Sequence, residues 1–490
     1  MSEGSKKNNI DRNGLKHYLS ASVLTTIAGL FTFPVLTRLL SKADYGIFSL
    51  IQSFQLIYEA LLKGGIQFAV RRYYPLEFLN ENETNRKTFI STVFLFPLLF
   101  STVITFIVSI CIVVFCYLTS SEYYWLLLVT SSAQASIVIS YFRSYMQAAG
   151  LSKYDSIIDI VQKYLYLILV IPIVLYLSTN YLGVYWAIFI SYCLMAALTI
   201  WLNRNIFSYF SINIDFKLLR STLSYSFPFV LVELSALSIS YVDRIILAIM
   251  EIPISDIGTY AIGFGLANVV FMLIWKILYP TIFPTVNKLY DFNGLEAARI
   301  FLGKSMSLIL LLCIALVFGI SLNYEEFIIL VCGEDKADSG VIFLFATILF
   351  LIKVIDSFLY YGFDLLKRTK QIFYSELVVA VVNIILNILF IYLFGLYGAL
   401  ISSYLSVFIG IAFKYYVLPE SYRITFSWEG FPVVICLLCM YLLTHCFILN
   451  IYIDNGVLKM ALSIIIFVVI MLFNIRFWRS RINYVFRFDV

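Results

Sequence analysis

The chain has 490 residues, of which 62% are hydrophobic and 13% charged, and its formal net charge is +5 at pH 7. Soluble domains carry about 25% charged residues, so this composition excludes a water-soluble globular fold. The small positive excess is spread over short loops, and this distribution excludes a basic nucleic-acid-binding domain.

Apolar segments of transmembrane length follow one another along the sequence. About 30 Å of hydrocarbon requires roughly 20 mostly apolar residues per helix. By that measure the sequence predicts an all-α integral membrane protein with about fourteen transmembrane helices. In chain order they cover residues 17–40, 45–70, 88–118, 123–148, 155–178, 182–203, 218–243, 257–287, 298–323, 339–366, 372–394, 396–418, 430–450 and 457–477.

The positions of lysine and arginine predict the topology, because cytoplasmic loops retain positive charge. With the N-terminus inside, 25 of the 34 Lys and Arg residues fall in cytoplasmic segments. We therefore expect a multi-pass protein of the cytoplasmic membrane with both termini in the cytoplasm. The polar stretch Met1–Lys16 leads directly into a full-length span, which predicts an uncleaved insertion signal.

The second half of the sequence repeats features of the first half. Asp44-Tyr45-Gly46 returns as Asp256-Ile257-Gly258, an offset of 212 residues, and Gly183 returns as Gly398, an offset of 215. Six helices per repeat is an even number, so the two halves should run parallel and enclose a central site. The predicted domains are a cytoplasmic N-terminus at 1–16, an N-lobe at 17–205, a C-lobe at 216–418, two added helices at 430–478, and a cytoplasmic C-terminus at 479–490.

Residues 28–30 (Ala-Gly-Leu) and the stretch Pro34–Leu50 resemble the opening of the polysaccharide-biosynthesis, or O-antigen, flippases. These Wzx-type proteins belong to the multidrug/oligosaccharidyl-lipid/polysaccharide exporter superfamily and export lipid-linked oligosaccharides. The resemblance implies a V-shaped transporter whose cavity is lined by the first, second, seventh and eighth helices. One departure concerns the substrate: Thr26–Thr37 carries no charge, whereas lipid II flippases carry arginines there, so another polyprenyl-linked glycan is favoured.

Charged residues inside the membrane are costly and therefore informative. Three pairs share a helix face at i,i+3 or i,i+4 spacing: Glu59 with Lys63, Asp159 with Lys163, and Lys353 with Asp356. Such pairs neutralise themselves in part, so a structural role is predicted for Asp159 and Lys163. For Lys353 and Asp356 a structural and a functional role both remain open.

Lys63 and Lys276 are the candidate substrate ligands. Lys63 lies 19 residues after Asp44 and Lys276 lies 20 after Asp256, so the repeat places one lysine at a similar depth in each half. Two ammonium groups would suit a diphosphate. The alternative is structural pairing of Lys63 with Glu59 and of Lys276 with Glu233.

Five further residues complete the candidate site. Arg71 and Arg72 at the cytoplasmic end of the second helix satisfy the topology rule, and they are also candidates for gathering an anionic substrate. The acids Glu59, Glu233 and Asp356 are candidates for binding a proton or a sodium ion that couples transport to an ion gradient.

No other cofactor is predicted. Cys436 and Cys439 form a C-x-x-C pair without the second pair or nearby histidine that a metal site needs.

The sequence favours a flippase for a polyprenyl-diphosphate-linked oligosaccharide, working by alternating access. A multidrug antiporter for organic cations is the nearest alternative. An integral-membrane glycan polymerase or glycosyltransferase is an alternative of another class, although the extramembrane segments are too short for a catalytic domain. The expected partners are the lipid-linked oligosaccharide, membrane lipids, and a polysaccharide polymerase with chain-length proteins.

Overall fold

The computed structural model describes residues 12–79, 83–209, 211, 214–366, 369–424, 431–444 and 446, and six positions between 462 and 469. Residues 1–11, the C-terminus at 479–490 and most of the last predicted span at 457–477 therefore lie outside the described residues.

Sixteen α-helices account for most of the described chain. In the first half they are α1 Arg12–Leu39, α2 Lys42–Lys63, α3 Ile66–Leu79, α4 Glu83–Phe89, α5 Phe96–Thr119, α6 Leu126–Ala148, α7 Ser152–Tyr176, α8 Tyr181–Leu202 and α9 Phe216–Leu237. The remainder are α10 Asp243–Ile249, α11 Ile254–Ser321, α12 Tyr324–Cys332, α13 Ser339–Leu365, α14 Thr369–Phe394, α15 Leu396–Val417 and α16 Phe431–Thr444. α11 consists of two helical segments joined at Gly294, whose φ and ψ angles of 85° and 179° are not helical.

The all-helical class predicted from the sequence is confirmed, and the described residues contain no β-strand. Helices form because hydrocarbon offers no partner for backbone N–H and C=O groups, which must bond within their own segment. Hydroxyl groups inside the helices also bond to the preceding turn. Thr25 Oγ1, for example, donates to the carbonyl of Ala21 at 2.8 Å.

Ten helices of the described chain are long and apolar enough to cross a bilayer. α2 and α9, each of 22 residues, are not among these ten, and they carry several of the charged residues described below. The apolar helix α16 is shorter than a span in its described part. The count of fourteen transmembrane helices therefore stays a prediction.

Three predicted spans are interrupted, and the one at 88–118 contains a π-helical stretch, Ile90–Leu95, between α4 and α5. The span predicted at 45–70 breaks between α2 and α3, where Gly64 and Gly65 have φ angles of 57° and 67°. Glycine adopts these left-handed angles without steric cost, so the chain changes direction here. The span predicted at 218–243 is interrupted by one π-helical turn, Ser238–Val242, between α9 and α10. A single π turn re-aims the side chains that follow it.

The chain divides into two compact units: Met1–Val35 with Leu39–Leu237, and Leu36–Arg38 with Ser238–Val490. In the first unit, α9 packs against α2 and α3, although the sequence analysis assigned this helix to the C-lobe. The core of the first unit includes the fully buried Tyr141 and Phe142 of α6. The lobe boundaries predicted above, and the implied V shape, stay predictions.

The repeated glycines occupy equivalent positions at the starts of α8 and α15. A Cβ atom on Gly183 would lie 2.1 Å from the carbonyl oxygen of Ser178. A Cβ atom on Gly398 would lie 2.0 Å from the carbonyl oxygen of Phe390. Each helix therefore begins against the end of the preceding one, at a distance that only glycine permits.

Replacing either glycine by alanine should destabilise the protein, because the backbone must move to accept the new methyl group. We expect Gly183→Ala and Gly398→Ala each to cost about 1–3 kcal/mol of unfolding free energy. Gly29→Ala is the matched control, since nothing lies within 4 Å of its added Cβ. Thermal unfolding in detergent measures all three, and equal midpoints would contradict the close approach.

Candidate functional site

The first unit contains an open cavity of about 600 Å³ lined by α3, α6, α7 and α9. Its volume is in the range typical of small-molecule sites. The lining is mostly polar, with a few apolar and aromatic side chains. The lining residues are Gln67, Phe68, Arg71, Ser136, Ile139, Ser140, Arg143, Ser144, Gln147, Asp159, Gln162, Lys163, Phe229, Val232, Glu233 and Ala236.

The break between α2 and α3 positions one side of this cavity. A Cβ atom on Gly65 would lie 2.5 Å from the backbone carbonyl oxygen of Ser226 on α9, so the turn contacts that helix closely. The end of α2 is tied to α6, because the Tyr141 hydroxyl donates to the carbonyl of Lys63 at 3.1 Å. These contacts place Lys63 beside α9.

Lys63 pairs with Glu233 across the helices. Its Nζ lies 2.6 Å from Glu233 Oε1, and the two side chains are 15% and 26% exposed. Gln67 Nε2 donates to the other carboxylate oxygen at 3.3 Å. The prediction that Lys63 pairs with Glu59 on its own helix is wrong, because α9 brings a closer carboxylate to the ammonium group.

Glu59 is held by neutral groups instead. It is 7% exposed, and its carboxylate accepts hydrogen bonds from Gln55 Nε2 at 2.9 Å and Ser136 Oγ at 2.8 Å. A buried carboxylate needs such bonds to offset its desolvation. Since Ser136 also lines the cavity, one hydroxyl group connects Glu59 to it.

The two adjacent arginines of α3 occupy different surroundings. Arg71 lines the cavity, its guanidinium lies 4.8 Å from the centroid of the Phe68 ring, and within the described residues it forms no ion pair. Desolvation lowers the pKa of Arg71, while the charge of Asp155 opposes that shift. Arg72 is not among the lining residues, and its guanidinium lies over the Tyr225 ring at 4.9 Å.

Arg143 joins α6 to α7 through two carboxylates. Its Nε donates to Asp155 Oδ1 at 2.7 Å and its Nη1 to Asp159 Oδ1 at 2.8 Å. The spacing along α7 predicted a pair of Asp159 with Lys163, which also lines the cavity, and Arg143 was not singled out. In the structure Asp159 pairs with Arg143 on another helix. Spacing along one helix cannot indicate such a partner.

In the second unit, Asp356 belongs to a different cluster. Lys414 Nζ on α15 lies 2.8 and 2.9 Å from the two Asp356 oxygens and 2.7 Å from Glu376 Oε1 on α14. Lys414 is completely buried, and the sequence did not single it out. The predicted Lys353–Asp356 pair is therefore replaced by an ion cluster that joins three helices. Lys353 Nζ lies over the Phe350 ring at 5.4 Å.

The side chain of Lys276 lies outside the described residues, although its backbone is part of α11. The proposed match between Lys63 and Lys276 therefore stays a prediction.

Sequence reasoning missed one buried acid, Asp243, at the start of α10. It is 1% exposed and accepts hydrogen bonds from the Tyr260 hydroxyl and, at 3.0 Å, from the backbone N–H of Arg244. The span predicted at 218–243 ends at this residue, and Asp243 was not singled out. It lies in the second unit and does not line the cavity described above.

The polar face of α6 was also missed. Ser136, Ser140 and Ser144 recur every fourth residue, and Arg143 and Gln147 adjoin them. This spacing places all five side chains on one face of a helix, which is a signal that the sequence contains.

The cavity is suited to an anion accompanied by a polar group. Its lining includes three cationic and two acidic side chains, and both acids are paired with a cation. Among the described residues, no cluster of His, Cys, Asp and Glu could hold a metal ion.

The fold resembles those of solved membrane transporters. The structure titled "Lipid II flippase MurJ, inward closed conformation" matches with a TM-score of 0.72 and 15% identity, covering 95% of this chain and 99% of that one. An inward-facing multidrug resistance MATE family transporter of the MOP superfamily matches with a TM-score of 0.63 and 13% identity, covering 82% and 97%. The protein is thus a multi-pass membrane protein with this transporter fold.

The chain belongs to the family described as "Polysaccharide biosynthesis protein", whose profile matches residues 13–290. Two proteins of Haloferax volcanii are similar. "Probable flippase AglR" is 25% identical over 225 residues, which is 44% of this chain and 47% of that protein. "Probable low-salt glycan biosynthesis flippase Agl15" is 23% identical over 214 residues, or 41% and 45%. The chain thus spans about half the length of these relatives.

Proposed function

We propose that this protein is a flippase that moves a polyprenyl-diphosphate-linked oligosaccharide from the cytoplasmic to the outer leaflet of the cytoplasmic membrane. The observation that carries the proposal is a charged and polar cavity lined by four helices, with Arg71 and Glu233 on its wall and Lys63 paired to Glu233 beside it. Membership of the polysaccharide biosynthesis family supports it, as do the names of the two Haloferax relatives.

The diphosphate would bind between Arg71 and Lys63. A guanidinium group binds phosphate oxygens in a fork, and an ammonium group binds them as a point charge. Lys63 is engaged with Glu233, so the diphosphate would have to compete for its ammonium group. The sugars would occupy the polar cavity while the polyprenyl chain stays in lipid. Lys276 is the proposed second lysine, on the basis of the repeat alone.

Ion coupling follows from the same competition. When the diphosphate takes Lys63, Glu233 loses its partner in a partly enclosed site, and a proton or a sodium ion would then neutralise it. Glu59 is a second candidate, because the Ser136 hydroxyl connects it to the cavity. Asp356 is the weakest of the three, since Lys414 already neutralises it.

Alternating access would carry the bound head group across, with both termini in the cytoplasm and no chemical step. We expect a substrate other than lipid II, because Thr26–Thr37 carries no charge, whereas lipid II flippases carry arginines there. A polysaccharide polymerase and chain-length proteins would act on the exported product. An exporter of organic cations would need unpaired carboxylates, whereas Asp159 and Glu233 are both paired.

Transport in proteoliposomes tests this proposal. We expect the wild-type protein to translocate a fluorescent polyprenyl-diphosphate oligosaccharide, and Arg71→Gln to reduce the initial rate about tenfold to a hundredfold, because a charge-assisted contact is lost. Arg72→Gln is the matched comparison and should retain most of the rate, since Arg72 does not line the cavity. Absence of wild-type transport would contradict the function, and equal losses in the two variants would contradict the cavity.

A further inference from the structure

The polar wall of the cavity differs chemically from its cationic part. Ser136 and Ser144 lie two turns apart on one face of α6, and Gln67 lies on α3. None of the three carries charge, so they add no Coulomb attraction for a diphosphate.

The hydroxyl groups of Ser136 and Ser144 already donate their protons to other groups of the protein. Ser136 Oγ donates to Glu59 at 2.8 Å, and Ser144 Oγ donates to the backbone carbonyl of Ser140 at 2.9 Å. A hydroxyl group that has donated its proton still has lone pairs and can accept. Both lining serines therefore keep lone pairs that can accept a further hydrogen bond.

Gln67 gives the strongest sign that a ligand is needed. It is 6% exposed, and its Nε2 is engaged with Glu233. Its amide oxygen, Oε1, is buried and has no hydrogen-bond partner among the described residues. An unpaired buried acceptor is costly, so a lining residue of this kind favours a ligand that brings a donor.

A wall of acceptors discriminates between the parts of the substrate. Ionised phosphate oxygens only accept hydrogen bonds, so they gain nothing from Gln67 Oε1 or from serine lone pairs. Sugar hydroxyl groups donate. The stacked rings of Phe68 and Phe229, with centroids 4.7 Å apart, add an apolar surface on the same cavity lining.

We propose that Gln67, Ser136 and Ser144 form a saccharide subsite, which accepts hydrogen bonds from the hydroxyl groups of the sugar next to the diphosphate. The subsite rests on the proposed function, and it assigns these neutral side chains of the cavity lining to glycan recognition. The sugar lies next to the diphosphate because Gln67 is one helical turn before Arg71 and also contacts Glu233, the partner of Lys63.

The test is equilibrium binding of two fluorescent lipids to the purified full-length protein. One is a polyprenyl diphosphate bearing a single neutral hexose, and the other is the same polyprenyl diphosphate without sugar. We expect the wild type to bind the hexose lipid more tightly. Gln67→Met should weaken binding of the hexose lipid about threefold to tenfold more than binding of the sugar-free lipid, because only the hexose lipid loses a hydrogen bond to the amide oxygen.

Two further variants separate recognition from folding. Ser144→Ala removes a second acceptor while its only described bond is to its own helix, so it should act in the same direction as Gln67→Met. Ser132→Ala is the control, because this buried serine on the same helix does not line the cavity. Its affinities should match those of the wild type.

The outcomes distinguish the two proposals. If the wild type binds both lipids equally, or if Gln67→Met and Ser144→Ala weaken both lipids in proportion, the subsite is wrong while the flippase proposal stands. If the wild type binds neither lipid, the proposed function fails and the subsite fails with it.

Discussion

Neutral replacements of Lys63 and Glu233 are expected to change substrate affinity in opposite directions. Their side chains meet at 2.6 Å beside the cavity, and the diphosphate must displace Glu233 to reach the Lys63 ammonium group. Lys63→Met removes a ligand and should weaken binding of a fluorescent polyprenyl diphosphate about tenfold to a hundredfold. Glu233→Gln removes the competitor and should strengthen binding severalfold.

Stability should respond differently from affinity. Each single variant leaves one partly buried charge without its partner, which costs about 2 kcal/mol or more. The double variant Lys63→Met with Glu233→Gln removes both charges and should recover most of the loss, since a neutral pair can replace an ion pair at little cost. It should still bind the lipid as weakly as Lys63→Met.

This set of variants separates anion binding from simple structural pairing. If the pair only joins α2 to α9, both single variants should lose affinity together with thermal stability, and the double variant should regain both properties. If affinity is low in both variants that lack Lys63, whatever their thermal stability, the diphosphate site is supported. The measurements are a binding isotherm and an unfolding midpoint for each of the four proteins.

The same contacts explain what the sequence could and could not predict. Hydrophobic run length indicated the helical membrane fold, because the bilayer allows few other structures. Charge spacing indicated pairs only within one helix. Lys63 and Glu233 are 170 residues apart, and their contact depends on the turn at Gly64 and Gly65. No rule of i,i+4 spacing can reveal such a partner.

The candidate site was located in part. Lys63, Arg71 and Glu233 were singled out from their depth and charge, and the structure brings them to one cavity or its edge. The contribution of α6 and α7 was missed because the resemblance directed attention to four other helices. The serine spacing of α6 was present in the sequence, but a polar helix face alone does not distinguish a cavity wall from a helix–helix contact.

Among the variants predicted here, replacement of Arg143 should cause the largest loss in the free energy of unfolding. Its guanidinium neutralises Asp155, whose side chain is 1% exposed, and Asp159 at the same time. Arg143→Gln would leave a buried carboxylate with Gln147 as its remaining described side-chain donor, at 3.0 Å. We expect a loss of about 3–5 kcal/mol, measured as the free energy of unfolding in detergent.

A second substitution tests the cause of that loss. Arg143→Gln with Asp155→Asn removes the uncompensated charge and should recover about half of the stability or more. Lys153→Gln is the control, because this exposed lysine lies in the first turn of α7 beside the same acid and should change stability by about 0.5 kcal/mol or less. A loss in the double variant as large as in the single variant would contradict the electrostatic explanation.

The Arg143 variants also show which cation of the cavity is structural and which is available to bind substrate. Two carboxylates already satisfy Arg143, so its role is to hold α6 against α7, and it has little attraction left for a phosphate. Arg71 forms no ion pair among the described residues, and it is therefore the cation available to the substrate. We accordingly expect Arg143→Gln to lower stability more than affinity, and Arg71→Gln to lower affinity more than stability.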